Sequence, residues 1–242
     1  PMLSDLHDPF LMKNMHNAVA RIEIAIQKKQ KILVYGDYDV DGTTSVAMMY
    51  SFLKKYNNNI EYYIPCRYEE GYGISLKGID YAKEKNFGLI IALDCGIRAF
   101  DEIDYASKNE IDFIICDHHT PSDKIPHAIA VLNPKQFDCK YPYKDLSGCG
   151  VGFKLIQAYC LNNNIHFDTI IEYLDLLTVS IGADIVPING ENRILAFFGL
   201  KQINLKPRVG LKVLMESASK KNELTIEDLV FGIAPRINAA GR

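Results

Sequence analysis

Ile32-Leu-Val-Tyr-Gly36-Asp37-Tyr-Asp39-Val-Asp41-Gly42-Thr-Thr44 is the stretch from which the fold is read. The apolar run reads as a buried β-strand, and Gly42 with the two threonines turns the chain into an amphipathic helix. Between them stand three carboxylates at two-residue spacing, which on an extended segment share a face. Unit charges of one sign about 4 Å apart repel by roughly 4 kcal/mol at an effective dielectric near 20. Such a cluster at a strand end calls for a cation, and hard divalent ions bound through oxygen are the natural partner. A plain Asp-Gly turn with Asp41 or Thr43 capping the helix is the alternative. An EF-hand loop does not fit, because the position for its bidentate Glu is Met48 and a strand, not a helix, leads in. The nucleophile motif of haloacid-dehalogenase-type phosphatases fits Asp39-Val-Asp41-Gly-Thr43 weakly, since the chain has no Asp-Asp pair.

Downstream, apolar runs alternate with helical periodicity. Strands are expected over 31–36, 60–65, 88–94, 112–116 and 128–132, with helices over 9–30, 43–56, 75–86 and 99–109. Strands apolar throughout and alternating with helices indicate α/β architecture, a mainly parallel five-stranded sheet with helices on both faces. Functional groups gather at the carboxyl ends of such strands, and three acidic clusters fall there: Asp37/Asp39/Asp41, Asp94, and Asp117-His118-His119. From Lys144 helices dominate, expected over 152–161, 168–181, 193–204, 209–219 and 226–233. Ser147-Gly148-Cys-Gly-Val-Gly-Phe-Lys154 is a candidate anion cradle at a helix start, or a run of glycines for tight helix packing. Gly182-Ala-Asp184-Ile-Val-Pro187 places another Asp in an apolar helix-to-turn context, and Ala234–Arg242 reads as a small-residue turn framed by two arginines. The domain expectation is a catalytic unit over 1–190 and a helical segment over 191–242.

The 242 residues are 48% hydrophobic and 24% charged, an ordinary globular composition. No apolar run approaches the ~20 residues of a membrane span, and no signal-peptide pattern opens the chain, so a cytoplasmic protein without a membrane partner is expected. A net charge of −3 provides no global attraction to nucleic acid, which would need a local basic patch or bound metal. The six cysteines form no C-x-x-C pair and read as reduced thiols, with Cys95 and Cys116 alternatively a redox pair.

Gly36-Asp-Tyr-Asp-Val-Asp-Gly42, Leu93-Asp-Cys-Gly96, Asp117-His-His119 and Gly182-Ala-Asp-Ile-Val186 together resemble the motifs of the DHH phosphoesterase family. Arg67…Glu70-Gly-Tyr-Gly73, Ser147–Gly152 and Ile233–Arg242 resemble its branch of single-stranded-DNA exonucleases. The resemblance implies two divalent cations, manganese or magnesium. Asp37 and Asp39 would hold one, Asp41, His118 and Asp184 the other, and Asp94 would bridge them. It implies that His119 touches the scissile phosphate and that Asp117 orients a neighbour. Arg67, Tyr72, Ser147, Gly148 and Arg236 are candidates for substrate contacts. Each arginine could equally be a surface or ion-pair residue, and Tyr72 a core tyrosine. Implied partners are single-stranded DNA, a single-stranded-DNA-binding protein and a helicase, in repair and recombination. Small-substrate relatives acting on short oligonucleotides or cyclic dinucleotides are the alternative, and a non-catalytic replication scaffold a second one, although every metal carboxylate is present. Family members carry a second domain absent from this chain, so metal binding with poor cleavage is expected.

Overall fold

The computed structural model describes residues 1–218 and 223–240. Five parallel strands form one sheet: β1 (Ile32–Gly36), β2 (Ile60–Tyr63), β3 (Leu89–Leu93), β4 (Asp112–Cys116) and β5 (Ala130–Leu132), in the order β2-β1-β3-β4-β5. Alternate side chains feed opposite cores because the strand period is two. Ile32, Val34, Leu89, Ile91, Ile114 and Leu132 pack under α1 (Met15–Gln27), α2 (Val40–Leu53) and α5 (Gly148–Asn162). Leu33, Tyr35, Ile90, Ala92, Phe113 and Ile115 pack under α3 (Leu76–Glu84) and α4 (Phe100–Lys108). Both faces are thus covered, as continuous apolar strands require.

Register decides where the chemistry goes. Gly36 pairs with Leu93 and Leu93 with Cys116, so the next residue of each strand, Asp37, Asp94 and Asp117, emerges at one height. The strand order also reverses between β1 and β3. That switch point opens a crevice beyond the strand ends, the usual ligand position in open α/β sheets.

Several boundaries differ from the sequence expectation. Pro9–Leu11 is a separate 3₁₀ turn capped by Asp8, and Asn14, at φ 66°, precedes α1. The glycine-rich stretch is itself the first turn of α5, which starts at Gly148 with Ser147 as its cap. The run 168–181 divides into a 3₁₀ helix, Phe167–Tyr173, and α6 (Leu174–Ala183). Ala234–Ala240 is a helix, not a turn, entered from a π-helical turn at Leu229–Ile233. Alanine favours that state, and Pro235 sits just past the π-helical turn. Ser219, where the helix from Val209 was expected to end, and Gly241 and Arg242 lie outside the described residues.

The segment after residue 190 begins in contact with the unit before it. α7 (Gly190–Leu205) lies on α6, and its Glu191 reaches into the main core. There it pairs with the fully buried Lys154 at 3.1 Å and accepts from Tyr141 Oη at 2.6 Å and from the His7 amide at 3.0 Å. Lys154 Nζ also donates to the His7 carbonyl at 2.8 Å. Glu191→Ala strands a buried ammonium and a buried phenol at once. It is expected to cost about 3–5 kcal/mol, measured as a shift in chemical denaturation at pH 7.

Candidate metal centre

Four segments bring carboxylates or imidazoles to the crevice. Asp37, wholly buried, follows β1 and accepts from the Tyr38 amide at 2.6 Å and the Gly73 amide at 3.1 Å. Asp39 caps α2, accepting from the Gly42 amide at 2.8 Å. Gly42 admits no side chain, because a Cβ there would strike the Asp37 backbone. Burial first, and then the Asp39 charge, push the Asp37 carboxyl up to about 7. Burial first, then the charge of Asp41, raise Asp39 as well.

Asp41, on the first turn of α2, faces the start of α5. It accepts from the Gly148 amide at 2.7 Å, the Cys149 amide at 2.8 Å and Ser180 Oγ at 2.6 Å. The expected anion cradle therefore exists, but its anion is the protein's own carboxylate. Ser147 and Gly148 are buried; Ser147 Oγ is bound to Ser180 Oγ at 2.7 Å and to the Gly150 amide at 3.1 Å. Both residues are thus engaged inside the protein, in place of the substrate contacts expected of them. Gly148 is also where α5 closes on β3, since a Cβ there would lie 2.6 Å from Asp94 Cβ.

Asp94 leaves β3 with φ 61°, a left-handed conformation that turns its carboxylate into the crevice. Its Oδ1 is buried with no hydrogen-bond partner, as are both ring nitrogens of His118. His118 Nε2 stands 3.2 Å from Asp94 Oδ1, 3.4 Å from Asp184 Oδ2 and 3.7 Å from Asp41 Oδ2. Burial, reinforced by the charges of Asp41, Asp39, Asp117 and Asp184, raises the Asp94 carboxyl well above its ordinary range. Burial and then Asp41 push Asp184, at the end of α6, up to about 7. Burial also lowers the His118 imidazole, which favours the neutral form that ligates metals.

Orphaned polar atoms at the centre of a carboxylate cluster are the signature of an oxygen- and nitrogen-lined cation site. Two sets of ligand atoms lie within 4.8 Å of one another: Asp41, His118 and Asp184, and Asp94, His118 and His119. Asp37 and Asp39 are in neither set, though Asp39 and Asp94 lie within hydrogen-bond reach of each other.

Asp117 has both oxygens engaged. Oδ1 accepts from the His118 amide at 2.7 Å, the His119 amide at 3.1 Å and His119 Nδ1 at 2.7 Å; Oδ2 accepts from the Ile97 amide at 2.9 Å. Burial would raise this carboxyl, but the His119 contact and those amides prevail and hold it low. His119 is correspondingly raised by its bond to Asp117. Its Nε2 points to Tyr72 Oη at 3.3 Å, and Tyr72 Oη also lies 3.4 Å from the Asp94 carbonyl.

Arg67 lies 5.2 Å over the ring of Tyr38, the aromatic between the first two carboxylates. Its loop is tied down by Glu70, which accepts from the Cys66 amide at 2.8 Å, Tyr63 Oη at 2.8 Å and Ser75 Oγ at 2.6 Å. A groove of about 490 Å³ runs beside it, lined by Tyr38, Thr43, Cys66, Arg67, Tyr68 and Ile237. The Arg236 guanidinium donates to the Gly232 carbonyl at 2.6 Å, four residues back in the preceding π-helical turn, and to the Ser217 carbonyl at 3.5 Å. All six cysteines are free thiols, and burial raises both Cys95 and Cys116, so neither is an activated thiolate. Among the described residues no helix is long and apolar enough to cross a membrane.

Sequence reasoning missed Ser180, whose hydroxyl fixes Asp41 from α6, and Tyr38. A serine in the apolar run of α6 was the available signal for the first. Nothing in the sequence pairs Tyr38 with Arg67.

A model of the DHH family, N-terminal domain, matches residues 31–181. The single-stranded-DNA-specific exonuclease RecJ of Bacillus subtilis (strain 168) is 42% identical over 240 residues, 99% of this chain and 30% of that protein. A crystal structure of exonuclease RecJ bound to manganese superposes with a TM-score of 0.87 and 33% identity, over 100% of this chain and 59% of that one. RecJ from Thermus thermophilus in complex with Mn²⁺ has a TM-score of 0.82 and 31% identity, over 95% of this chain and 33% of that one. The chain thus spans less than two thirds of the length of these relatives.

Proposed function

The chain belongs to the DHH family, and from that premise we propose that it is the two-metal phosphodiesterase core of a 5′→3′ single-stranded-DNA exonuclease of repair and recombination. The observation that carries this reading is the buried, unpartnered Asp94 Oδ1 and His118 Nε2 at the meeting point of four carboxylates. Asp41, His118 and Asp184 would hold one cation, Asp37 and Asp39 the other, with Asp94 between them. Manganese or magnesium fits a set dominated by carboxylate oxygen with one imidazole. When bound, such a pair supplies an activated water near neutral pH and offsets charge on the phosphoryl oxygens.

The remaining roles fall to the chain itself. Asp117 accepts a hydrogen bond from His119 Nδ1, which fixes the ring and leaves Nε2 facing away from it. That bond raises the imidazole and so favours the doubly protonated ring, whose Nε2–H would be placed to donate to a phosphate oxygen or to the leaving oxygen. Arg67, braced by Tyr38 and the Glu70 loop, is suited to grip a 5′-phosphate through its guanidinium fork. Tyr72, half exposed beside His119, offers a face to the terminal base. A single-stranded-DNA-binding protein and a helicase would be the partners that present the strand.

The test compares a long 5′-phosphorylated single strand with a dinucleotide in manganese. Faster release of mononucleotides from the long strand is expected; preference for the dinucleotide would instead select the small-substrate reading. Ser180→Ala, which removes a donor from Asp41 without touching the crevice, is expected to weaken manganese binding about 10- to 100-fold, read by calorimetry.

A further inference from the structure

One element at the carboxyl edge of the sheet has no part in the roles above: the turn after β5, residues 133–137. The strand order sets the Arg67 loop, after β2, at one end of this edge. The tips of β1, β3 and β4 follow with their acids, and the turn after β5 closes the row. With neighbouring strands about 4.8 Å apart, the β2 and β5 tips stand roughly 19 Å from each other, wider than a single phosphodiester link.

The turn is held firmly and is coupled to the acid cluster. Asn133 Nδ2 donates to the His119 carbonyl at 2.8 Å, and Asn133 Oδ1 accepts from the Lys135 amide at 2.8 Å. The buried Gln136 Nε2 donates to the Val131 carbonyl at 2.9 Å, and Lys144 Nζ to the Pro134 carbonyl at 2.8 Å. Within this frame the Lys135 ammonium has no hydrogen-bond or ion-pair partner among the described residues, yet its charge is felt at both His118 and Asp184. A lysine that stands near a knot of carboxylates without closing on any of them remains available to an anion. Two residues on, Phe137 is 106% exposed, an aromatic ring wholly in solvent on a braced turn.

We propose that residues 133–137 form a second nucleotide subsite, across the acid cluster from Arg67, in which Lys135 takes a backbone phosphate of the single strand and Phe137 stacks on a base. Basic side chains tracking the backbone with aromatics under the bases are the general means of holding single strands. The row cation, metal centre, cation would seat the phosphates on either side of the one being cut. This inference rests on the reading of the chain as a single-strand nuclease core.

The test is fluorescence anisotropy of a 3′-labelled oligothymidylate, with calcium as the divalent ion and salt varied. Lys135→Gln is expected to weaken binding and to reduce the slope of log K against log salt by about 0.7, one phosphate contact on a single strand; Lys135→Arg is expected to restore the slope. Phe137→Ala is expected to weaken binding about 5- to 100-fold, the worth of one stacked base, with the slope retained, and Phe137→Tyr to recover it. Wild-type binding with an unaltered Lys135→Gln slope, or unaltered Phe137→Ala affinity, overturns the subsite and leaves the nuclease reading standing. A wild-type chain that binds no single strand at all overturns the nuclease reading, and the subsite with it.

Discussion

Asp94→Asn is expected to abolish metal-dependent hydrolysis, by at least ~10³-fold, and at the same time to raise the melting temperature of the metal-free chain. The two effects have one cause. Asp94 is buried at the end of β3 with one oxygen unpartnered, and Asp41, Asp39, Asp117 and Asp184 all act on it. Without a cation, folding must either neutralise this carboxyl or tolerate the repulsion. A neutral amide of the same shape removes that cost. Asparagine also tolerates the left-handed backbone at φ 61° better than other residues with a side chain. The same change removes the anion that would lie between the two cations, so manganese should no longer stabilise the variant as it does the wild type. Initial rates in manganese, with thermal unfolding in chelator and in manganese, check both halves. Retained hydrolysis, or a lower melting temperature in chelator, contradicts the reading of Asp94 as the central ligand.

The second large effect is a flattening of the pH dependence of stability by metal. Asp37 and Asp184 are each pushed up to about 7 by burial and by neighbouring carboxylates, whereas an unfolded Asp titrates near 3.9. Between these values the folded chain binds protons that the unfolded chain does not. Metal-free stability should therefore fall as pH rises from about 4 to about 7, by on the order of a few kcal/mol, and level off above. A divalent cation needs both groups ionised, so protons compete with it below about 7. Stabilisation by manganese, about 2.7 kcal/mol at a hundredfold excess over Kd, should grow across the same window. Thermal unfolding from pH 5 to pH 8.5 should give a curve that falls with pH in chelator and a distinctly flatter one in manganese. Parallel curves would remove the case for a cation at these carboxylates.

Removal of one partner of a buried pair, as in Glu191→Ala, tests a different matter: whether the helical segment after residue 190 is integral to the catalytic unit. The Lys154–Glu191 pair ties α5, α7 and the N-terminal segment at His7 into one body. The boundary expected from the sequence, between residues 190 and 191, falls at the residue that makes this link.

What the sequence by itself determined was everything that depends on short range. Apolar runs bounded by glycine and aspartate marked the five strands, and their alternation with helices made the sheet parallel and covered on both faces. Acids directly after β1, β3 and β4 had to collect at one edge, since parallel strands share a carboxyl end. Tertiary structure alone decided what each polar group meets there. The amides of Gly148 and Cys149 look like a cradle for a phosphate until α5 docks on α2, more than a hundred residues away in the chain, and delivers them to Asp41. Arg236 reads along the chain as an unattached cation until the helical turn before it forms and places the Gly232 carbonyl against its guanidinium. Lys135 looks like an ordinary surface charge until the hydrogen bond from Asn133 to His119 fixes its turn beside the acid cluster. Backbone preference and side-chain period are local and can be read along the chain; hydrogen-bond partnership is set by distance in space, which only the packed fold supplies.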